Sequence, residues 1–503
     1  MSEAPPISKA YGIYALSLLT LINVVNYLER NVIFALFEPI KRDLQLSDAH
    51  LGWLGTAYVL VFSIAALPVG VLSDLRSRTS MTAFGVAVWS AFTSFGGLVR
   101  SFGQLLVCRA AVGLGGAAAN AAGTALVADY FRGPGRAAAM SIFTAGLALG
   151  GVLGILAAGQ LEALYGWRVA FMTLGLPGFG LALLVARLRD PLHWGALRPV
   201  LTQLRDLGLG VKELVRRALP LILGLILGAG AAWWADRRYG ADSALDAAVF
   251  SLVAGLGLAW NILLWVRRAR RQSRAEGQRV AAGVQNALNE LIDGFHTVVR
   301  TPTLVWVFVG GAMISFGMNG IIGWAPAFMT RELGLTVARA SLLLGKWGLI
   351  FGIAGTLTGG LLADWLQRRY PWARVVVSSI GFLLGGPLAI WLLTIRDLSL
   401  FIPVFCGAFF FLTWYNGPLT SVIFDVTPQR ISTTVAGAYL LFIHLAGDAV
   451  ALPLVGFLSD EFGIGRAVLI LPVMALLGSI VALGAARTVR ADMLKVALAA
   501  PPR

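Results

Sequence analysis

Several ionisable side chains interrupt the long apolar runs of the sequence and could do chemistry there, and four of them come first. They are Glu29, Arg30, Arg109 and Lys346. A charge in the hydrocarbon layer of a membrane costs about 2.5–3.5 kcal/mol, so such a residue usually faces a cavity or a partner. Counted at about 1.5 Å per residue, Glu29, Arg109 and Lys346 lie roughly 10–14 Å below the same membrane surface. These three side chains can therefore share one layer.

Two further polar patterns lie on helical faces. Asn23, Asn26 and Arg30 are spaced i, i+3, i+7, which places them on one face and predicts a wet or protein-lined interior. His444 and Asp448 are spaced i, i+4, so the carboxylate can orient the imidazole. This second pattern predicts either a further proton-coupling unit or a structural pair, and the sequence leaves both open.

Aromatic and amide side chains in the second half of the chain suit an amphipathic ligand with an apolar tail and a polar head. Together with polar residues of the first half, they form the predicted substrate site. Its residues are Asn23, Asn26, Arg30, Arg109, Asn120, Ser315, Asn319, Trp324, Lys346, Trp414 and Asn416.

The composition requires a membrane around these residues. Of the 503 residues, 58% are hydrophobic and only 13% are charged, against roughly 45–50% and 25% in soluble domains. A water-soluble fold is therefore excluded. Apolar stretches near the ~20 residues that a bilayer requires predict six spans in each half, near residues 12–36, 50–75, 79–99, 102–130, 136–164 and 168–188, and near 302–330, 337–364, 373–395, 398–425, 430–459 and 464–487.

The predicted fold class is an all-α polytopic membrane protein with two six-helix bundles and an inserted central helical hairpin, which makes 12 + 2 spans. Residues 1–190 form the first bundle, and residues 301–490 form the second. The basic linker 191–300 carries an apolar pair near 218–235 and 245–266, which we predict to cross the membrane; a position at the membrane interface is the alternative. Residues 491–503 form a cytoplasmic tail.

The net charge of +15 would suggest a nucleic-acid partner in a soluble protein. With the N-terminus in the cytoplasm, however, most of the 40 lysines and arginines fall in cytoplasmic segments, which follows the positive-inside rule. We therefore predict cytoplasmic termini, a bacterial inner membrane, contact with membrane lipids and no nucleic-acid partner. Cys108 and Cys406 stand apart, and neither metal-ligand spacing nor a catalytic constellation occurs, so no metal, cofactor or enzyme activity is predicted.

A Gly-x-x-x-Asp motif ends the second span of each half. Such a carboxylate can meet the positive N-terminus of a neighbouring helix, and the arginines after it can bind acidic or carbonyl partners. We predict that these motifs are gating latches. Their residues are Gly70, Asp74, Arg76 and Arg78 in the first half and Gly360, Asp364 and Arg368 in the second. A third copy, from Gly456 to Asp460, ends span five of the second half. Paired six-span repeats are typical of secondary transporters.

The sequence resembles the major facilitator superfamily in the loop after span two, in Arg109-x-x-x-Gly113-x-Gly115 and in Gly166-Trp167-Arg168. Within it, the chain is similar to the spinster-like transporters over residues 12–190 and 302–487. That likeness rests on Asn26-Tyr27-Leu-Glu29-Arg30, Leu126-Val-Ala-Asp129-Tyr-Phe131, Trp324-Ala-Pro326 and His444-Leu-Ala-Gly447-Asp448. Gly116 is a departure, because spinster-like members usually carry a glutamate there.

The resemblance implies alternating access around a site between spans one, four, seven and ten, with proton coupling and a lysolipid, sphingoid or similar substrate. It also implies a functional pair between an acid of span one and an arginine of span four. We therefore predict that Glu29 pairs with Arg109 when ionised, and that protonation of Glu29 frees Arg109 to bind an anionic group. A permanent ion pair that fixes helix packing is the alternative.

Two other functions stay open from the sequence. A transporter of small organic anions, such as carboxylates or sugar acids, would use Arg30, Arg109 and Lys346 equally well. A non-transporting receptor or scaffold of the same fold is the third candidate, although the intact motifs argue against it. We expect a monomer in each case.

Overall fold

Long apolar helices separated by short polar turns make up the part of the chain that the computed structural model describes, residues 8–75, 77–131, 135–190, 227, 294, 296–428 and 431–499. The helices of the first half are α1 Lys9–Ala35, α2 Phe37–Leu44, α3 Asp48–Leu75, α4 Arg78–Gly96, α5 Phe102–Tyr130 and α6 Arg136–Ala186. Those of the second half are α7 Pro302–Glu332, α8 Val337–Gln367, α9 Ala373–Leu392, α10 Leu398–Leu412, α11 Pro418–Asp425, α12 Ser432–Ile443, α13 Ala449–Phe462, α14 Ile464–Ala467, α15 Ile470–Leu483 and α16 Ala485–Ala499.

The predicted all-α, multi-span class is confirmed. Within the described ranges, nine helical runs are long and apolar enough to cross a membrane. The helices follow the predicted spans closely but divide differently. Helix α6 runs through predicted spans five and six of the first half, and predicted span six of the second half comprises α14, α15 and the start of α16. Span four of the second half divides into α10 and α11, and a π-helical turn, His444–Asp448, joins α12 to α13. The predicted hairpin at 218–266 lies outside the described residues apart from residue 227.

Contacts divide the chain into two compact units. Unit 1 comprises residues 1–46 and 60–285, and unit 2 comprises residues 47–59 and 286–503. Within unit 1, α1 packs against α6, and α4 packs against α5 and α6. Within unit 2, α7 packs against α15, and α9 packs against α10 and α15. Helix α3 is shared, since its first twelve residues, 48–59, belong to unit 2 and the remainder to unit 1.

The same backbone break occurs in the described part of both units. Gly166 interrupts α6 at φ 81° and ψ 164°, and Gly463 separates α13 from α14 at φ 81° and ψ 151°. A positive φ of this size is accessible to glycine and strained for residues with a side chain. After the first break, Trp167 Nε1 donates to Asp43 Oδ2 at 3.2 Å. These glycines therefore end span five and begin span six in both halves.

Candidate functional site

Glu29 lies in the interior of unit 1, with 0% of the residue exposed. Its Oε1 accepts a hydrogen bond of 3.4 Å from Ser90 Oγ of α4. Its Oε2 is buried and has no hydrogen-bond partner among the described residues. Thr93 and Trp89, also on α4, face the carboxyl group as further hydrogen-bond donors. The acid therefore lies among neutral donors, and its hydrogen-bonding capacity is only partly used.

Arg109 of α5 lies beside the same part of α1 and is only 2% exposed. Its Nη1 donates to the carbonyl of Glu29 at 3.3 Å, and its Nη2 donates to the carbonyl of Arg30 at 2.8 Å. The structure thus brings the predicted acid and arginine together, with the guanidinium bonded to the backbone of α1. A guanidinium this close lowers the cost of a negative charge on Glu29.

A small cavity lies one helical turn from Glu29, between α1, α4, α5 and α6. Three predicted substrate residues, Asn23, Asn26 and Asn120, line it together with Trp89. Asn23 Nδ2 donates to the carbonyl of Phe143 at 2.8 Å. The cavity therefore brings together Asn23 and Asn26, which the sequence predicted to share one helical face, and Asn120 of α5.

The second buried acid, Asp448, lies in unit 2 and is 1% exposed. Its Oδ2 lies 2.6 Å from His444 Nδ1. Its Oδ1 accepts from Ser315 Oγ at 2.5 Å and from Asn319 Nδ2 at 2.8 Å. Four residues that were predicted from the sequence thus form one cluster, in which both carboxyl oxygens of Asp448 take part in hydrogen bonds.

A π-helical turn and a glycine position this cluster. Residues His444–Asp448 form the π turn, a local widening that is often found at functional sites. A methyl group at Gly447 would come within 2.5 Å of the carbonyl of Ala312. The absence of a side chain at Gly447 therefore lets the turn approach α7 closely enough for Asp448 to reach Ser315.

A third polar cluster was not predicted from the sequence. Asp48, at the start of α3 and 1% exposed, accepts from Arg331 Nη1 and Nη2 at 2.5 and 2.8 Å and from Ser459 Oγ at 2.5 Å. The carboxylate of Asp460 in turn accepts from the backbone N–H groups of Asp48 and Ala49 at 2.8 and 2.9 Å. Asp460 thereby caps α3, where the helix dipole favours a negative charge. The signal that could have found this cluster is the third Gly-x-x-x-Asp motif, which ends at Asp460.

Each unit contains an arginine–aspartate pair at the end of its helices. Arg78, the first residue of α4, forms an ion pair with Asp129 of α5. Arg374, near the start of α9, donates to Asp425 at 2.6 Å and to Asp364 at 2.9 Å. Both arginines precede the aspartate partner by 51 residues. Arg374 was missed in the sequence analysis, although this equal spacing marks it.

Of the remaining predicted latch residues, the structure describes those of the second half more fully than those of the first half. Arg76 lies outside the described residues, as do the side chains of Gly70 and Asp74. A Cβ atom added to Gly360 would meet nothing within 4 Å. Arg368 is exposed. The latch hypothesis therefore stays a prediction.

Other predicted substrate residues lie in varied surroundings. Arg30 is half-buried over the ring of Tyr27. Lys346 is exposed, and its Nζ lies 4.6 Å from the ring centroid of Trp347. Trp324, 0% exposed, donates to the carbonyl of Leu452 at 3.2 Å and so joins α7 to α13.

Trp414 and Asn416 lie in the turn between α10 and α11. Trp414 packs against Phe410 and Phe411 and is 8% exposed. Asn416 is exposed, and its Nδ2 donates to Thr356 Oγ1 at 3.3 Å. The structure thus joins Ser315 and Asn319 to a buried acid and leaves Lys346 and Asn416 at exposed positions.

A family model described as Major Facilitator Superfamily matches residues 19–239 and 223–447. The chain belongs to the Major Facilitator Superfamily. It is a spinster-like member, as the sequence resemblance indicated, and it is an integral multi-pass membrane protein. The positions of Glu29, Arg109 and the Asp448 cluster are thus those of polar groups inside a membrane transporter.

Several relatives within the superfamily span nearly all of this chain. An MFS-type efflux pump of Mycolicibacterium smegmatis is 25% identical over 96% of this chain and 94% of its own length. A probable L-galactonate transporter of Escherichia coli is 23% identical over 86% and 74%. A sphingosine-1-phosphate transporter of Xenopus tropicalis is 22% identical over 93% and 80%.

The fold is also found in a solved structure. A bacterial homologue of the human lysosomal transporter spinster, captured in an inward-facing and unoccupied conformation, matches with a TM-score of 0.72. The two chains are 20% identical, and the match covers 97% of this chain and 99% of the other. This likeness confirms the superfamily fold.

Proposed function

We propose that the protein is a proton-coupled secondary transporter that works by alternating access and moves an amphipathic, lipid-like substrate of the lysolipid or sphingoid type. The observation that carries the proposal is the fully buried Glu29 carboxyl group beside the Arg109 guanidinium, inside a spinster-like member of the superfamily. A buried acid next to a cation can gain or lose its charge at a cost that the surrounding helices determine.

Glu29 is the proposed proton carrier. The described arrangement suits its protonated form, because an ionised carboxylate with one long hydrogen bond and one unpartnered oxygen would be costly to bury. Loss of the proton would then draw the guanidinium of Arg109 from the α1 carbonyls toward the carboxylate. Protonation would release Arg109 for an anionic headgroup, so proton and substrate binding are linked through one side chain.

The lipid-like substrate is supported by the spinster-like relatives, one of which is named a sphingosine-1-phosphate transporter. An amphiphile with a charged head also suits Arg109 and the half-buried Arg30. The second candidate is a small organic anion such as a sugar acid. The relative named a probable L-galactonate transporter favours it, because the same arginines could bind a free carboxylate.

The deciding experiment uses the purified protein in proteoliposomes with an imposed pH gradient. We expect the gradient to drive accumulation of a lysophospholipid or sphingoid base, and we expect Glu29→Gln to abolish that accumulation while leaving substrate exchange intact. Normal pH-driven accumulation by Glu29→Gln would remove Glu29 as the proton carrier. Accumulation of sugar acids alone would favour the second candidate, and no flux of either class would favour a receptor or scaffold.

The proposal also covers the orientation of the protein in the membrane and the membrane in which it lies. The distribution of lysine and arginine supports an orientation with both termini in the cytoplasm, and we propose that the protein acts as a monomer in a bacterial inner membrane. Cysteine labelling from each side of intact cells tests the orientation. Labelling of a cysteine placed after residue 499 by a membrane-impermeant reagent in the medium would reverse it.

A further inference from the structure

The Glu29 carboxyl group faces three donor side chains that all belong to α4. Ser90 donates to Oε1 at 3.4 Å, and Thr93 and Trp89 are the further donors. Glu29 itself is on α1, so the separation of α1 and α4 decides whether these hydrogen bonds form. Helices α1 and α4 make few direct contacts, whereas α6 packs extensively against both of them. The position of the donors relative to the acid therefore depends on α6.

Two pairs of glycines bring α6 against its neighbours. In the first half of the helix, a Cβ atom added to Gly150 or Gly154 would overlap a carbonyl oxygen of α1. The carbonyl beside Gly154 is that of Leu28, which directly precedes the acid. In the second half, a Cβ atom added to Gly175 or Gly178 would overlap a serine hydroxyl oxygen of α4. One half of α6 thus packs closely on the helix of the acid, and the other half packs closely on the helix of its donors.

The hydroxyl group of Ser90 occupies the space that Gly178 leaves open. A Cβ atom at position 178 would overlap Ser90 Oγ and would lie 3.4 Å from Glu29 Oε1, so the glycine, the hydroxyl group and the carboxyl oxygen meet at one point. Ser90 is 0% exposed. A hydroxyl group buried to this extent normally finds its hydrogen-bond partner inside the protein, and the partner here is the acid.

The local backbone does not account for the direction of the Ser90 hydroxyl group. Serine and threonine hydroxyl groups inside helices often donate to the carbonyl four residues earlier. Thr82, on the same helix, does so, since its Oγ1 donates to the carbonyl of Arg78 at 2.8 Å. Ser90 donates instead to a carboxyl group on another helix. The open space at Gly178 is what permits this orientation.

We propose that Gly178 and Ser90 act together as positioning residues for the Glu29 carboxyl group. The glycine leaves room for the serine hydroxyl group, and the hydroxyl group donates to Oε1 and so determines how readily Glu29 releases its proton. The inference rests on the proposed role of Glu29 as proton carrier and adds the residues that adjust that role. A donated hydrogen bond stabilises an ionised carboxyl group more than a neutral one, so the Ser90 hydroxyl group favours release.

The charged groups near the acid are the two arginines already described. Arg109 of α5 is bonded to the carbonyl groups of Glu29 and Arg30, and Arg30 lies over the ring of Tyr27. The donors on α4 are neutral, and on the α6 side Oε1 faces Gly178. Because the substitutions proposed below touch neither arginine, a change in proton binding reports on the serine hydroxyl group.

The test follows the carboxyl band of protonated Glu29 by infrared difference spectroscopy on the purified full-length protein during a pH titration. Glu29→Gln assigns the band. We expect Ser90→Ala to move the band to higher frequency, because the carboxyl group loses a donor. The same variant should bind the proton about tenfold more tightly, the effect of one lost hydrogen bond to a charged group, so the band should persist to higher pH. Gly178→Ala should change both quantities in the same direction, since the added methyl group displaces the hydroxyl group.

A double variant separates positioning from packing. If both residues act through one hydroxyl group, Ser90→Ala combined with Gly178→Ala should titrate like Ser90→Ala alone. Additive shifts would reveal two separate packing effects and would overturn the proposal. Ser94→Ala and Gly180→Ala are the matched controls, because Ser94 lies against Gly175 and a Cβ atom at Gly180 meets nothing within 4 Å. Both controls should titrate like the wild type, and a shift in either one as large as that of Ser90→Ala would contradict the proposal.

The outcomes distinguish this inference from the proposed function. If Gly178→Ala does not fold, Ser90→Ala and its control Ser94→Ala decide the question. If Glu29→Gln abolishes pH-driven accumulation but Ser90→Ala keeps the band and the titration of the wild type, the positioning pair is wrong and the proton carrier stands. If no band disappears in Glu29→Gln at any pH, the carboxyl group is never protonated and both proposals fail.

Discussion

Glu29 in unit 1 and Asp448 in unit 2 are both acids inside apolar helices, at 0% and 1% exposure. Asp448 is held by Ser315, Asn319 and His444 at 2.5–2.8 Å, so both of its oxygens are occupied. Glu29 has one long bond of 3.4 Å and an oxygen without a partner. Three short bonds hold the Asp448 carboxyl group in one position, whereas the carboxyl group of Glu29 has few hydrogen bonds to lose when its charge changes. The comparison therefore predicts that Glu29 in unit 1 is the proton carrier and that Asp448 in unit 2 has a structural role.

The largest expected effect concerns Glu29. Glu29→Gln keeps the shape of the side chain but cannot release a proton, so pH-driven accumulation should fall by about a hundredfold or more, the size of effect seen when a proton-transfer group is lost. Substrate exchange without a gradient should persist. Asp448→Asn is the matched amide variant in unit 2, and it should retain coupled accumulation in whatever fraction of the protein remains folded. Loss of coupling in Asp448→Asn alone would reverse the two assignments.

The free energy of unfolding should respond in the opposite order, with a larger loss for the Asp448 variant than for the Glu29 variant. Asp448→Asn replaces one carboxyl oxygen of the cluster with an N–H donor and so leaves mismatched donors in a buried site, which should lower the free energy of unfolding by about 1–3 kcal/mol. Glu29→Gln should change it by less than about 1 kcal/mol, since little hydrogen bonding is lost. Thermal denaturation in detergent measures both variants side by side. Equal destabilisation of the two variants would show that Glu29 and Asp448 contribute equally to stability, and it would contradict the comparison.

Much of this arrangement could be predicted from local sequence. Apolar runs gave the spans, and helical spacing alone joined His444 to Asp448, because residues i and i+4 are neighbours on any helix. The third Gly-x-x-x-Asp motif marks Asp460 as a residue of interest, but it does not name Arg331 and Ser459 as partners of Asp48, since they lie 283 and 411 residues away from Asp48. Likewise, nothing in the sequence around Glu29 indicated Ser90, because the pairing depends on how α1 packs against α4. Long-range contacts of this kind are determined by helix packing, which no local pattern encodes.

The paired arginines offer a smaller comparison between the units. Arg374 binds two carboxylates, those of Asp364 and Asp425, while Arg78 forms its ion pair with Asp129. Asp364 is 66% exposed, so solvent screens its electrostatic interaction with Arg374. Double-mutant cycles with Arg374→Gln and Asp425→Asn, and with Arg78→Gln and Asp129→Asn, should both give coupling energies of about 1 kcal/mol. A coupling energy near zero in one cycle alone would show that the two ion pairs, although equally spaced in the sequence, do not contribute equally to stability.

The smallest expected effect lies outside the membrane-spanning helices, at Asp492 of α16. Burial would raise the pKa of Asp492, but hydrogen bonds from Lys495 and Thr303 outweigh it and lower the pKa below its ordinary value. Asp492 Oδ2 accepts from the Thr303 N–H at 3.1 Å and from Thr303 Oγ1 at 2.7 Å, and so caps the start of α7. Asp492→Asn keeps an oxygen acceptor for Thr303 but removes the negative charge at the helix N-terminus, so it should cost about 0.3–1 kcal/mol of unfolding free energy at neutral pH.

The sign of the pH dependence follows from the lowered pKa. An acid with a lower pKa in the folded state stabilises the fold fully above the ordinary aspartate value, about 3.9, and the contribution disappears as the pH falls from there through the folded-state value. The stability difference between wild type and Asp492→Asn should be constant from pH 7 to about 5 and should shrink below about 4. Lys495→Met is the control: Lys495 is 68% exposed, so its removal should cost less than about 0.5 kcal/mol. A difference that grows on acidification would mean that Asp492 is held in its protonated form, and the cap on α7 would then be a neutral carboxyl group.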